Sequence, residues 1–141
     1  MGDENRFPIG SEHDILTARQ RGRELAAEAG FSGSDLTVVA TAISEIARNI
    51  VEYAVRGEIV ITVLHEGDNR GLSIVATDEG PGIPDVALAM QDGFSTGRSL
   101  GLGLPGARRL MDEFDVRSEA GHGTTVTMRK WVHKATARIG H

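Results

Sequence analysis

The sequence predicts an α+β domain, a mostly antiparallel sheet with one layer of helices on one face. Three observations predict it. Two segments in the first half, 12–29 and 35–54, carry apolar residues at helical spacing. Two strand-like runs, Glu58 to His65 and Leu72 to Asp78, flank a polar loop with two glycines, which reads as a hairpin. A second pair, Asp115 to Ser118 and Thr124 to Val132, is joined by Glu119-Ala120-Gly121-His122-Gly123.

Taken in order, Arg6 to Ile9 reads as a short first strand. The helix from Glu12 to Ala29 has Ile15, Leu16, Leu25 and Ala26 at the right spacing and stops at Gly30, a residue suited to the left-handed turn after a helix. Ser34 is placed to cap a second helix running to about Ala54, with Asp35 favourable in its first turn. Its apolar stripe is Leu36, Val39, Ala40, Ile43, Ala47, Ile50 and Ala54, and Gly57 ends it. Pro84 to Asp92 reads as a short helix, Asp92 to Leu100 as a polar glycine-bearing loop, and Leu102 to Phe114 as a helix. His133 to His141 reads as a frayed tail. There is no internal repeat and no low-complexity segment.

Composition narrows the function. A chain of 141 residues fits one domain, 1–141, with its own core. Cysteine is absent, which excludes disulfides and thiolate metal sites. A net charge of -5 argues against duplex nucleic acid as a partner. No apolar run approaches the roughly 18 residues of a membrane span, and the acidic start lacks a secretory apolar region. The expectation is a soluble cytoplasmic protein with no membrane partner. The only lysines are Lys130 and Lys134, so a Walker A loop and the strand lysine of the protein-kinase fold are both missing. Phosphate binding would have to rest on backbone N–H groups, arginine or a metal ion.

Three local features carry chemistry. Gly101-Leu102-Gly103-Leu104-Pro105-Gly106 matches a GxGxxG fingerprint, but a polar loop precedes it where a dinucleotide site requires a strand. What survives is a glycine loop opening a helix, able to bind anionic phosphate through N–H groups. Gly106, third in the pattern, needs no more than helix packing. Glu45 and Asn49, four apart, share a helix face away from the main stripe, a face that also bears Val38, Ala42 and Tyr53. A carboxylate and a carboxamide on such a ledge can orient a nucleophile and hold Mg2+, which prefers oxygen ligands; a solvated face is the plainer reading. Asp78-Glu79-Gly80-Pro81-Gly82-Ile83 ends a strand in a rigid turn, where Asp78 can accept from an exocyclic amine or simply stand exposed.

In this order the three features resemble the N, G1 and G2 boxes of the GHKL (Bergerat-fold) ATPases, and the resemblance spans most of the chain. It implies the two-layer α/β sandwich of that family, and ATP and Mg2+ as cofactors. Asn49 would be the magnesium ligand and Glu45 the catalytic residue that helps activate the acceptor. Asp78 would bind adenine, with Gly80, Gly82 and Ile83 beside the base. The loop from about Asp92 to Leu100, which carries Arg98, would be an ATP lid, and Gly101, Leu102 and Gly103 would hold the phosphates. Gly121-His122-Gly123-Thr124-Thr125 is similar to the later threonine box, with Thr125 on the adenine side. The length leaves no room for the dimerisation domain of full histidine kinases or the transducer domain of gyrase-type ATPases. The stretches AISEIARNIVEYA, DEGPGIPD, DGFST, GLGLPGARRLMDEF and GTTVTMRKW resemble the stand-alone anti-sigma-factor serine/threonine kinases, in particular the switch kinases of the bacterial stressosome. That implies phosphorylation of a STAS-domain antagonist or scaffold protein, followed by activation of a partner phosphatase. The same boxes also fit an anti-sigma factor that sequesters a sigma factor, and a nucleotide-sensing domain without turnover.

Overall fold

A computed structural model describes residues 4–54, 56–80, 104–119, 121 and 123–132. The chain runs β1 (Glu4–Ile9), α1 (Glu12–Ala29), α2 (Ser34–Asn49), a π-helical turn (Ile50–Ala54), β2 (Gly57–Glu66) and β3 (Asn69–Asp78). After residues 81–103 come α3 (Leu104–Leu110), β4 (Glu113–Glu119) and β5 (Gly123–Trp131). The five strands form one sheet in the order β1-β2-β3-β5-β4, and every neighbouring pair is antiparallel. The expected α+β class holds.

The register explains which side chains face the helices. Directly opposed residues point to the same face of a sheet. Ile61 of β2 pairs with Ile74 of β3, which pairs with Met128 of β5, which pairs with Phe114 of β4. Ile61, Ile74 and Met128 are fully buried, and Phe114 packs against them. α1 and α2 pack on each other and on this face, with α3 against α2. The two helices meet tightly at Gly22 of α1, where any side chain would run into the Cδ1 of Ile43 on α2.

Local signals set most element ends. Ser11 caps α1, its Oγ accepting from the Asp14 N–H at 3.3 Å, while the Asp14 carboxylate accepts from the Gly10 N–H at 2.9 Å. Gly30 closes α1 at φ 111°, its N–H directed to the carbonyls of Ala26 and Ala27. Leu16 does not join the core; it stands 59 % exposed.

Several expected boundaries move. Gly33, not Ser34, is the N-cap of α2, and no side chain caps that end. The second helix is α-helical only to Asn49 and then widens into the π-turn. Its buried face is broader than the stripe, because Ala42 and Ile46 are also buried against neighbouring elements. The hairpin loop shrinks to Gly67-Asp68, since Glu66 pairs with Asn69 and Gly67 adopts φ 64°. The third helix stops at Leu110 rather than Phe114. There Lys130 Nζ donates to the Leu110 carbonyl (3.2 Å), the Asp112 N–H donates to the Arg129 carbonyl (3.0 Å), and the Asp112 carboxylate accepts from the Trp131 N–H (2.8 Å). These bonds end the helix four residues early and start β4 at Glu113, two residues before the expected Asp115. The expected helix at 84–92, the loop at 92–100 and the tail at 133–141 lie outside the described residues.

Gly106 is a further correction. A Cβ built on it meets no described atom within 4 Å, so helix packing does not call for glycine there. Gly106→Ala should therefore stabilise the protein by about 0.5–1 kcal/mol through helix propensity. Thermal unfolding should show a midpoint roughly 2–4 °C higher; an unchanged or lower midpoint would show that something outside the described residues needs the glycine.

Candidate functional site

The site is built around the end of β3. Asp78 is the last residue of that strand, opposite Gly57 of β2 on one side and Thr124 of β5 on the other. Three glycines let backbone close in on it. A side chain at Gly57 would strike the Thr77 carbonyl and come within 3.0 Å of the Asp78 Cβ. A side chain at Gly123, already at φ 88°, would strike the Asp78 carbonyl oxygen. At Gly80 a Cβ would lie 2.6 Å from the Ala54 Cβ and 3.2 Å from the Tyr53 carbonyl, both in the π-turn. Gly57 is not among the expected site residues, and Gly123 is expected only as part of the threonine box, because the contacts that demand glycine at both are between strands distant in sequence.

The half-buried Asp78 carboxylate accepts from the Gly80 N–H at 2.9 Å. Burial raises its pKa above the ordinary 3.8, and backbone hydrogen bonds from Gly80 and Thr124 only partly oppose that. A cavity of about 300 Å³, lined by Arg56, Gly57, Glu58, Thr77, Asp78 and Glu79, opens at this end of the sheet.

Glu45 and Asn49 occupy the last turns of α2, with Asn49 its final residue. Both are half-buried, and neither side chain has a hydrogen-bond or ion-pair partner among the described residues. The π-turn that follows ties them to the β3 end. Ile50 reaches within 3.0 Å of a Cβ at Gly57, and Ala54 abuts Gly80. Such π-turns recur at functional sites, because the extra residue re-aims the side chains around it. Arg48 points elsewhere, pairing with Glu12 of α1 at 3.2 Å on the surface. No group of three or more His, Asp or Glu side chains able to hold a metal occurs among the described residues.

The threonine box needs a correction. Thr125 pairs with Thr77, and alternation places both on the face of the sheet away from Asp78. Thr124 sits on the Asp78 rung and shares its face. Its hydroxyl lies 2.9 Å from the Ser118 hydroxyl of β4, the next residue along that rung. Gly-Thr-Thr in one sequence does not say which threonine faces which way; only the pairing register does. Gly82, Ile83, Arg98, Gly101, Leu102 and Gly103 lie outside the described residues.

A helical layer over an antiparallel sheet, with a glycine-ringed aspartate at a strand end beside the second helix, defines an ATPase domain of the histidine-kinase type. The chain belongs to the histidine kinase-like ATPase domain family, which it matches over residues 11–130. It is 50% identical over 132 residues to the serine/threonine-protein kinase RsbT of Bacillus subtilis (strain 168), covering 94% of this chain and 99% of that one. It is 35% identical over 103 residues to the anti-sigma F factor of Caldanaerobacter subterraneus subsp. tengcongensis, covering 70% and 71%. The mycobacterial sensor histidine kinase MprB shares the fold at a TM-score of 0.55 and 16% identity, over 93% of this chain and 97% of that one. No helix among the described residues is long and apolar enough to cross a membrane.

The raised pKa of Asp78 has a measurable consequence. The folded state holds the Asp78 proton more tightly than the unfolded chain does. Its ionisation therefore erodes stability as pH rises from about 4 through the folded-state pKa. Asp78→Asn keeps an acceptor for the Gly80 N–H without the buried charge. Its unfolding midpoint without ligand should exceed the parent's at pH 7, and the gap should close toward pH 4. A gap that stays constant with pH would contradict this account of the site.

Proposed function

We propose that this protein is a cytoplasmic serine/threonine protein kinase that uses Mg-ATP to phosphorylate a STAS-domain antagonist or scaffold protein. It then activates a partner phosphatase in sigma-factor stress signalling. The observation that carries the reading is the 50% identity to a serine/threonine-protein kinase over almost the whole of both chains. The reading is supported by the π-turn, which joins the helix end bearing Glu45 and Asn49 to the strand end bearing Asp78.

In the proposed reaction the γ-phosphoryl group passes from ATP to a serine or threonine hydroxyl of the partner, and ADP leaves. The work is mostly positioning and charge stabilisation. Asp78, at the β3 end, would accept from the exocyclic amine of adenine, and by the family resemblance Gly80, Gly82 and Ile83 would serve the base. Gly101, Leu102 and Gly103 would offer backbone N–H groups to the phosphates, which suits a chain with no lysine before position 130. The carboxamide oxygen of Asn49 would hold Mg2+, a cation usually bound through one or two protein oxygens and substrate phosphates. The ion would supply charge neutralisation on the triphosphate. Glu45, one turn before Asn49 on the same helix face, would orient the acceptor hydroxyl and take its proton.

The anti-sigma F factors, at 35% identity over a smaller share of the chain, favour the second reading: a protein that sequesters a sigma factor and phosphorylates its antagonist. Co-purification separates the two, with a STAS scaffold or phosphatase expected here and a sigma factor on the alternative. A transfer assay with labelled ATP, Mg2+ and candidate STAS proteins tests the activity itself; absence of transfer to all of them would support a nucleotide sensor without turnover.

Two variants divide the roles. Asn49→Ala should retain the parent's fold by circular dichroism and lose magnesium-dependent ATP binding in titration calorimetry; an unchanged affinity would remove Asn49 from the metal site. Glu45→Gln should bind Mg-ATP within about twofold of the parent yet transfer at least 100-fold more slowly, the scale of a lost general base. Transfer at the parent's rate would exclude Glu45 from the chemistry.

A further inference from the structure

We propose that Ser118 is a positioning residue that fixes the hydrogen-bond polarity of Thr124, so that the base site selects a 6-amino purine over a 6-oxo purine. The inference rests on the reading of Asp78 as the base-recognising group.

Asp78, Thr124 and Ser118 lie on one rung across β3, β5 and β4, all directed to the same face. Ser118 Oγ lies 3.1 Å from the Gly123 carbonyl oxygen and 2.9 Å from Thr124 Oγ1. A serine hydroxyl has one proton, and a carbonyl oxygen has none to give. If Ser118 donated to Thr124, it and the Gly123 carbonyl would face each other with no hydrogen between them. Both contacts are satisfied only when Ser118 donates to Gly123 and Thr124 donates to Ser118.

That direction matters at the other end of the rung. With its proton engaged by Ser118, Thr124 Oγ1 presents only lone pairs toward the side where Asp78 lies. The Asp78 carboxylate, once ionised, is likewise an acceptor only. Two acceptors side by side match an exocyclic amine, which has two hydrogens to donate, and oppose a carbonyl at the same position. A threonine hydroxyl free to rotate would reverse its role and donate to that carbonyl, which relaxes the choice. Gly123 holds the arrangement in place, since its φ of 88° and its contact with the Asp78 backbone fix the carbonyl that takes the Ser118 proton.

The experiment measures dissociation constants of Mg-ATP and Mg-ITP, which differ at the 6 position in amino against oxo, for the full chain and its variants. The parent should prefer ATP. Ser118→Ala should narrow the ATP/ITP ratio about fivefold, the scale of one altered hydrogen bond, mainly through tighter ITP binding. Ser118→Thr, which keeps the hydroxyl, should retain the parent ratio. In a Thr124→Val background, Ser118→Ala should change nothing further. A merely structural role would weaken both nucleotides alike and leave the ratio where it was. Should Ser118→Ala fail to fold, Ser118→Cys, a near-isostere with a much poorer acceptor, should shift the ratio in the same direction. A folded variant of either kind with the parent's ratio overturns the proposal while leaving ATP binding intact. A parent that binds neither nucleotide overturns the reading of the Asp78 site and this proposal with it.

Discussion

The approach of strand β5 to the end of β3 is the contact on which the rest of the site depends. It is possible because Gly123 has no Cβ to collide with the Asp78 carbonyl, and because its positive φ is one that other residues adopt only under strain. Once β5 lies there, the antiparallel register places Thr124 beside Asp78 and Ser118 beyond it. A slip of one residue would turn Thr124 to the opposite face and bring Thr125 in its place. The buried row of Ile61, Ile74 and Met128 opposes such a slip, since it would also turn part of the core toward water.

The second close approach joins the helical layer to the same strand end. α2 is anchored by its buried face and by the tight α1 crossing at Gly22, which brings its last turn over the sheet. The π-turn then carries Ile50 to Gly57 and Ala54 to Gly80, so both flanks of Asp78 are covered by one short segment. Asn49 is the residue at which α-geometry gives way to π-geometry, and Glu45 lies one turn behind it. The candidate groups for metal, acceptor and base are therefore held by a single continuous scaffold. Burial of Asp78 is part of that arrangement: a carboxylate partly withdrawn from water disfavours its own ionisation, yet it makes a more selective acceptor than a solvated one.

Much of this was legible in the sequence. Glu12–Ala29 was read to the residue, because a Gly30 stop and helical spacing act locally. Both strand pairs were placed, and the family followed from motif order. The errors fall where a partner distant in sequence decides. Helix α3 ends at Leu110 because Lys130 of β5 takes the Leu110 carbonyl and the Arg129 carbonyl takes the N–H of Asp112 just beyond it. Leu16 sits among apolar residues in the sequence but on the outer side of α1. Gly106 completes a nucleotide-like pattern without any described neighbour that needs it.

By itself the sequence determined the α+β class, the identities of the described helices and strands, and the candidate residues for the proposed chemistry, because propensity, periodicity and motif spacing are properties of nearby residues. Tertiary structure alone decided which of two adjacent threonines stands beside Asp78, why Gly57 and Gly123 must be glycine, and that Ser118 belongs to the rung at all. Each of these depends on strand register and on contacts under 4 Å between segments far apart in the chain. A single sequence holds no measure of either until the sheet has formed.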